Sequence, residues 1–296
     1  MEYYVRRRKR KLNYRHMLIA IIMIIIILLL IIFGVVAAQN HKAEKIRLEA
    51  QKKAEEEEIM RIAIETQKKE EEERQRQKEK EEEENATGII YLTFDDGPSA
   101  SSTPVILDIL KNRGIKATFF VLHYSDENEQ YIKREKEEGH TIALHGYSHT
   151  YSEVYQSADT CIENFKKIGD QVYQTTGMQS KIIRFPGGSS NVISKKYCPG
   201  VMTELVTRVT DMGYRYFDWN VDSDDAGHAK TSQDIYNNVT SEIKPGRSNV
   251  VLMHDFAGNH KTMDALDSVI TWGLEQGYVF RKITEETPMV RHHVNN

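Results

Sequence analysis

The globular part of the chain opens with IIYLTFDDGPS, residues 89–99. Its first run, Ile89–Phe94, is rich in β-branched and aromatic residues, which favour a β-strand. Two adjacent carboxylates, Asp95 and Asp96, follow that run directly. No glycine-rich phosphate-binding motif follows it, so nucleotide binding has no support. The paired acids instead direct attention to the carboxyl end of the strand.

Short β-rich runs alternate with helical patterns from this point onward. The strand candidates are Ile89–Phe94, Ala117–Leu122, Thr141–Leu144, Lys181–Phe185, Tyr214–Val221, Asn249–Met253 and Tyr278–Ile283. The helix candidates are Thr103–Arg113, Glu127–Glu138, Tyr155–Thr175, Gly200–Met212, Ser232–Ile243 and Met263–Gln276. Strand–helix alternation predicts a parallel sheet with right-handed crossovers. The number of units fits a closed or nearly closed α/β barrel, with an open doubly wound sheet as the alternative.

Polar residues of catalytic type follow the strand candidates repeatedly. They are Asp95 and Asp96, His145 and His149, Arg184, Asp218, Asp222, Asp224 and Asp225, and His254 and Asp255. A single aspartate in such a place is usually a helix cap or a turn residue. In α/β barrels, however, the carboxyl ends of the strands form one face, and active sites are built there. The repetition therefore predicts one active site at that face.

Two histidines, His145 and His149, have a spacing that suggests a metal site. An i,i+4 spacing predicts two imidazoles on one side of a helical turn, which suits two ligands of one zinc-like ion. Asp95 or Asp96 can supply a third ligand. Adjacent carboxylates at an extended strand end point in opposite directions, so the two should have different functions. One would bind the metal, and the other would act as general base on a water held at the open coordination position.

The sequence resembles the NodB-like polysaccharide deacetylases, carbohydrate esterase family 4, over about residues 88–285. Five motifs occur in family order, and the first is the most specific of them. They are Thr93–Ser99, His145–His149, Arg184–Gly188, Asp222–Asp225 and Leu252–His254. The resemblance implies a distorted (β/α)7 barrel, in agreement with the strand count. It also implies a metal-dependent hydrolase that removes N-acetyl groups from a polysaccharide.

The resemblance implies a base and a metal-binding set. Asp95 would be the general base, and Arg184 would orient it. Asp96, His145 and His149 would bind a divalent metal ion. Zinc is the expected metal, although the family also accepts cobalt and other divalent ions.

The resemblance implies an acid and a substrate side as well. His254 would be the general acid that protonates the departing amine, supported by Asp225. The backbone N–H near Gly187 would help to hold the oxyanion. Leu252 and Trp219 are assigned with Gly187 to the oxyanion and substrate side.

Three positions depart from the family pattern. Gly146 stands where Ser or Thr is usual, Gly187 where an aromatic residue is usual, and Ala226 where Trp is usual. A substrate wall is therefore expected to be missing at Gly187. Trp219 lies earlier in the chain as a candidate replacement for the missing tryptophan. These changes affect the groove more than the metal-binding set.

The segment 17–38 carries no charge and is dominated by Ile and Leu. About 20 apolar residues suffice for a helix that crosses a bilayer, so this segment is expected to be a transmembrane helix. A cleaved signal peptide is the alternative, since residues 36–38 resemble a small-residue cleavage site. Residues 1–16 contain the basic run Arg6–Lys11, and the positive-inside rule makes them a cytoplasmic tail. The rest of the chain would then be extracellular.

A charged segment, 39–87, separates this apolar stretch from the expected deacetylase domain, 88–290. Its Glu, Lys, Arg and Gln residues, with no Gly or Pro between residues 41 and 84, favour a solvated helix with many i,i+4 ion pairs. Apolar residues are too sparse there for a sustained coiled-coil seam, although a coiled coil is the alternative. The segment would act as a spacer.

Composition and location limit the partners of the chain. The net charge is −4 and no basic patch lies beyond the N-terminal cluster, which argues against nucleic acid. An extracellular domain on a spacer would lie close to peptidoglycan, which is therefore the expected substrate. Chitin oligomers, an exopolysaccharide, xylan, or an inactive sugar-binding role are alternatives. Cys161 and Cys198 could form a disulfide in an oxidising exterior, and the sequence leaves that pairing and the oligomeric state open.

Overall fold

A computed structural model describes residues 14–296 of the chain. The basic run Arg6–Lys11 of the predicted cytoplasmic tail lies outside the described residues. The chain divides into two compact units, of which the first ends at Gln77 and the second spans Lys78–Asn296.

The first helix, α1, is Tyr14–Asn85, 72 residues long. Its N-terminal part is long and apolar enough to cross a membrane, and a signal sequence near the N-terminus would satisfy the same criterion. In the charged part, Lys69 approaches Glu65 to 2.7 Å, one of several pairs spaced by one helical turn. These side chains are exposed, so each pair stabilises the helix by only about 0.3–0.5 kcal/mol.

Eight parallel strands form the sheet of the second unit. They are β1 Gly88–Asp95, β2 Thr118–Val121, β3 Thr141–Leu144, β4 Ile182–Ile183, β5 Arg215–Tyr216, β6 Val221–Asp222, β7 Ser248–His254 and β8 Tyr278–Phe280. The order is β5-β4-β3-β2-β1-β7-β6, and β8 pairs with the first residues of β1. The sheet is thus an incomplete barrel, which confirms the parallel α/β architecture.

The predicted single strand Tyr214–Val221 is wrong, because it is two short strands at opposite ends of the sheet. The strand β5 pairs with β4, whereas β6 pairs with β7. Between them the chain connects the two ends of the sheet, and the Asp218 N–H donates to the Val290 carbonyl at 2.8 Å instead of to a strand. A connecting segment therefore spans this gap, and no hydrogen-bonded pair of strands closes the barrel between β5 and β6.

Seven helices and one 3₁₀ turn surround the sheet in the described part of the second unit. They are α2 Thr103–Arg113, α3 Glu129–Glu137, α4 Tyr151–Val154, α5 Ala158–Thr176, the 3₁₀ turn Ile193–Lys196, α6 Val201–Asp211, α7 Ser232–Glu242 and α8 His260–Glu275. The predicted helix Tyr155–Thr175 begins instead at Ala158, because Ser157 forms a capping box with Thr160.

Alternation along β1 positions the polar residues of its carboxyl end. Ile90, Leu92 and Phe94 pack between the sheet and the helices, whereas Tyr91 belongs to a smaller cluster on the other face of the sheet. Because side chains alternate along a strand, Asp95 shares the face of Tyr91. The same alternation thus builds the outer core and turns Asp95 toward the barrel interior.

The compact unit extends past position 290. His292 donates its backbone N–H to the Asp218 carboxylate at 2.8 Å, and Thr203 donates to the Asn296 carbonyl. At its other end, Arg281 binds the Glu82 and Glu83 carboxylates of the last turns of α1. Cys161 is buried and Cys198 half-buried, and the structure shows both as free thiols.

Candidate active site

Three potential metal ligands lie together at the carboxyl ends of β1 and β3. Asp96 Oδ1 is 3.6 Å from His145 Nε2 and 3.9 Å from His149 Nε2. Two atoms that each lie about 2.0–2.1 Å from one zinc ion can be no more than about 4.2 Å apart, so both distances fit a shared ion. Asp96 Oδ1 is buried without a hydrogen-bond partner among the described residues. A bound cation would satisfy that oxygen, so these residues fit a divalent metal.

The hydrogen bonding of His145 leaves a lone pair directed at the cluster. Its Nδ1 lies 2.8 Å from the backbone carbonyl of Arg184. Because a carbonyl only accepts, Nδ1 carries the proton and Nε2 presents its lone pair, the usual state of a metal-binding histidine. Burial and the nearby His145 lower the pKa of His149, which keeps the second imidazole neutral and able to bind an ion.

The two histidines approach each other through a loop, so the predicted helical turn is wrong. Gly146 has a φ of +142°, and the Asn164 side chain binds both the N–H and the carbonyl of Ser148. The rings of His145 and His149 lie 5.1 Å apart as a result. A Cβ at position 146 would clash with Asn164 Nδ2. This crowding explains why glycine replaces the usual Ser or Thr.

The two adjacent carboxylates converge, contrary to the expectation that they point apart. Asp95 Oδ2 and Asp96 Oδ1 lie 3.7 and 3.6 Å from the same atom, His145 Nε2. The reason is that Asp96 has left the strand, with a φ of +74°, so the alternation of an extended chain no longer applies. The two acids differ in their partners, and not in their direction.

Arg184 is fully buried and fixes Asp95. Its Nη1 donates to Asp95 Oδ1 at 2.7 Å and to Thr93 Oγ1 at 2.8 Å. Its Nε and Nη2 donate to the carbonyls of Phe217 and Asp218. One carboxylate oxygen of Asp95 is thus occupied by the guanidinium, and Oδ2 is left facing the metal-binding cluster, where it can accept a proton.

His254 at the end of β7 forms a second charged pair with Asp225. The His254 Nδ1–H donates to Asp225 Oδ1 at 2.7 Å. Burial disfavours the charged imidazole, but this hydrogen bond and the negative charge of Asp225 outweigh it and raise the pKa of His254 to about 9. Burial disfavours the carboxylate too, yet the same pair lowers the pKa of Asp225 to about 2. Near pH 7 the imidazole is therefore protonated and can donate from Nε2.

The Asp225 carboxylate accepts further hydrogen bonds, from residues that the sequence did not indicate. Asn259 Nδ2 and Thr262 Oγ1 both donate to its Oδ2, at 2.8 and 2.5 Å. They come from the start of α8, far along the chain, and carry no motif of their own. Together they fix the carboxylate that holds His254.

The predicted substrate-side residues occupy different places. Gly187 lies in a turn with a φ of +76°, and Leu252 is buried in β7, paired with Thr93. Trp219 packs near Gly188, where a Cβ would lie 3.0 Å from the indole. Trp219 therefore lies beside the third motif, and nothing in these contacts links it to Ala226.

Asp218 is the other residue whose function the motifs did not reveal. Its carboxylate accepts from the N–H and hydroxyl of Ser189 and from the N–H of His292. It thus ties Ser189, the residue after the third motif, to the C-terminal segment. Asp222 and Asp224 act locally instead: Asp222 accepts from the Trp219 indole and from the Asp224 N–H.

Comparison with known sequences identifies relatives of the second unit. A family profile described as polysaccharide deacetylase matches residues 82–199. YheN of Bacillus subtilis, a putative polysaccharide deacetylase, is 33% identical over 210 residues, which cover 69% of this chain and 69% of that protein. The peptidoglycan-N-acetylmuramic acid deacetylase PdaA of the same organism is 31% identical over 66% of this chain and 70% of its own length.

Comparison with solved structures agrees. The catalytic domain of a peptidoglycan N-acetylglucosamine deacetylase from Eubacterium rectale superposes with a TM-score of 0.67 and 42% identity. The match covers 70% of this chain and 94% of that domain. The incomplete parallel barrel is therefore shared with a known catalytic domain.

Proposed function

Since the chain belongs to the polysaccharide deacetylase family, we propose that it removes N-acetyl groups from the amino sugars of peptidoglycan outside the cell. The enzyme class, a polysaccharide N-deacetylase, follows from the family. The proposal is carried by one observation: Asp95 and His254 are paired at the carboxyl ends of β1 and β7, next to the cluster of Asp96, His145 and His149. Relatives named for peptidoglycan support the choice of polymer.

The reaction requires a site for a divalent metal, for which Asp96, His145 and His149 are the proposed ligands. A divalent ion, when bound, supplies a Lewis acid that polarises the acetamide carbonyl and the attacking water. Zinc is the metal proposed, since two imidazoles and one carboxylate form a typical catalytic zinc set. Cobalt or another divalent ion is the alternative.

Asp95 is proposed to be the general base. Its Oδ1 is held by the Arg184 guanidinium at 2.7 Å, so the free Oδ2 accepts the proton of the attacking water. The water oxygen forms a bond to the acetamide carbon, and the carbonyl oxygen becomes an oxyanion. The Gly187 N–H is proposed to bind that oxyanion.

His254 is proposed to be the general acid. As the tetrahedral intermediate collapses, the carbon–nitrogen bond breaks and the His254 Nε2–H is transferred to the amine nitrogen. Asp225 stabilises the imidazolium before this step, through the hydrogen bond to Nδ1. The products are acetate and a free amine on the sugar.

The pH dependence of kcat is expected to report His254. Its proton is needed for catalysis and its raised pKa is about 9, so activity should persist to pH 8 and fall as the pH rises through about 9. The Asp225→Asn variant removes the negative charge that raises the pKa. The alkaline limb should then move to lower pH, as measured by kcat against pH from 6 to 11. An alkaline limb at the same pH in both proteins would contradict this assignment.

Release of acetate tests the proposed function directly. The purified full-length chain in detergent, supplied with zinc, is incubated with isolated peptidoglycan, chitin oligomers and acetylated xylan. We expect acetate from peptidoglycan above all, and mass spectrometry of the digested muropeptides identifies the deacetylated sugar. Greater turnover of chitin oligomers or xylan would make that polymer, and not peptidoglycan, the substrate. Binding without acetate release would support an inactive sugar-binding module.

The segments before the domain are proposed to place the enzyme at the cell surface. Residues 17–38 would cross the bilayer with 1–16 in the cytoplasm, and 39–87 would be the spacer. The continuous helix and its exposed ion pairs support this arrangement. At about 1.5 Å per residue, the spacer reaches about 70 Å when helical.

Shortening the spacer is expected to reduce deacetylation of the wall in cells. Deletion of residues 45–72 removes roughly 40 Å of helix and keeps the turns that bind Arg281. Turnover of soluble oligosaccharide should be unchanged, because no catalytic residue is lost. An unrelated Glu/Lys helix of equal length should restore wall deacetylation. Unchanged wall deacetylation after the deletion would refute the spacer role. If the unrelated helix did not restore deacetylation, a partner bound along the native helix would be indicated.

A further inference from the structure

Tyr151 lies beside Gly187, the position at which the family pattern usually has an aromatic residue. A side chain at position 187 would place its Cβ 2.6 Å from the Tyr151 hydroxyl oxygen and 3.2 Å from a ring carbon. That approach is closer than packed atoms tolerate, and the φ of +76° at Gly187 disfavours a side chain as well. A side chain at position 187 would therefore require Tyr151 to move. The wall expected to be missing is provided from a different element.

The phenol ring is held in place between two motifs. Its edge meets the ring of His149 at 5.5 Å, and its face lies against Tyr155 at 5.9 Å. Tyr155 is itself fixed, since it donates a hydrogen bond to the Pro186 carbonyl at 2.7 Å. The ring of Tyr151 thus bridges the metal-binding loop and the third motif, and its orientation is restricted by packing.

The hydroxyl of Tyr151 is a donor without a partner. Among residues 14–296, neither this hydroxyl nor the neighbouring Gly187 N–H has a hydrogen-bond acceptor. Two unused donors therefore lie side by side next to Asp96 and His149. Gly187 is exposed and Tyr151 is half-buried, so both donors are accessible to a bound substrate.

We propose that Tyr151 is a catalytic residue whose hydroxyl donates a hydrogen bond to the acetamide oxygen as negative charge develops there. It would act beside the Gly187 N–H, so that the oxyanion is held by one backbone and one side-chain donor. No covalent bond to Tyr151 forms or breaks. The inference rests on the proposed deacetylase function and adds to it a residue outside the five motifs.

The Tyr151→Phe variant tests this role, because it removes the hydroxyl and keeps the ring. Removal of one oxyanion donor typically lowers kcat by about 10²–10³-fold, and we expect a loss of about 10²-fold. The KM for an N-acetylated oligosaccharide should change less than about threefold, since the donor is used mainly in the transition state. Zinc content and Tm should equal those of the parent. Tyr173→Phe, an exposed tyrosine of α5, is the matched control.

Each outcome has one interpretation. Unchanged kcat, an effect on KM alone, or loss of zinc in Tyr151→Phe would overturn the proposed donor. Tyr151→Ala, which also removes the wall, should raise KM in addition to lowering kcat, and a KM equal to that of Tyr151→Phe would refute the wall. A parent enzyme with no turnover of any acetylated sugar would overturn the deacetylase function itself, and the donor with it.

Discussion

Replacing His149 by Ala is expected to remove the metal ion and abolish turnover. Even outer-shell partners of metal ligands contribute about 10–100-fold to metal affinity, so loss of one of three ligands should exceed that. Asp96 and His145 alone would leave the ion with two protein ligands. Zinc content by elemental analysis should fall to background, and acetate release should fall with it.

Thermal stability tests the metal site of the His149→Ala variant independently of activity. A metal that binds only the folded state raises stability by RT ln(1 + [L]/Kd), so added zinc should raise the Tm of the parent and leave that of His149→Ala unchanged. His228→Ala is the matched control, since that imidazole is 98% exposed. Zinc retention by His149→Ala, or full activity of the parent after chelation, would refute the metal site.

The gathering of the candidate residues could be predicted from the sequence for a topological reason. In a parallel sheet the carboxyl ends of all strands lie at one edge, so residues that follow strands meet there even when far apart in the chain. Asp95 and His254 illustrate this, since β1 and β7 are adjacent and these two residues are paired in register. The strand assignments alone were therefore sufficient to predict that Asp95 and His254 lie at the same edge of the sheet.

The local geometry could not be predicted, because it depends on backbone conformations that periodicity does not encode. The sequence predicts that the carboxylates of Asp95 and Asp96 point apart, but the left-handed φ of Asp96 makes them converge. The φ of Gly146 replaced a helical turn by a loop that brings His145 and His149 to the same point. Each conformation has a tertiary contact beside it: the Asp96 N–H donates to the Phe120 carbonyl, and the Asn164 side chain binds the backbone of Ser148.

Tyr151 escaped prediction for a related reason. It follows the second motif by two residues, yet its proposed function depends on its closeness to Gly187 of the third motif. A glycine in place of an aromatic residue indicated a missing wall. Only the folded chain shows which side chain fills the space.

Replacing Asp95 by Asn is expected to lower kcat by about 10²–10⁴-fold, the usual contribution of a general base, while zinc content stays at the level of the parent. Asparagine keeps an oxygen that can accept from Arg184, so the buried guanidinium retains a partner in place of the 2.7 Å contact. It cannot accept the proton of the attacking water. Turnover and elemental analysis on the same preparation separate the two effects, with the exposed Asp211→Asn as control. Because Asp95 Oδ2 and Asp96 Oδ1 lie almost equally near His145 Nε2, loss of zinc from Asp95→Asn would reverse the assigned roles of the two carboxylates.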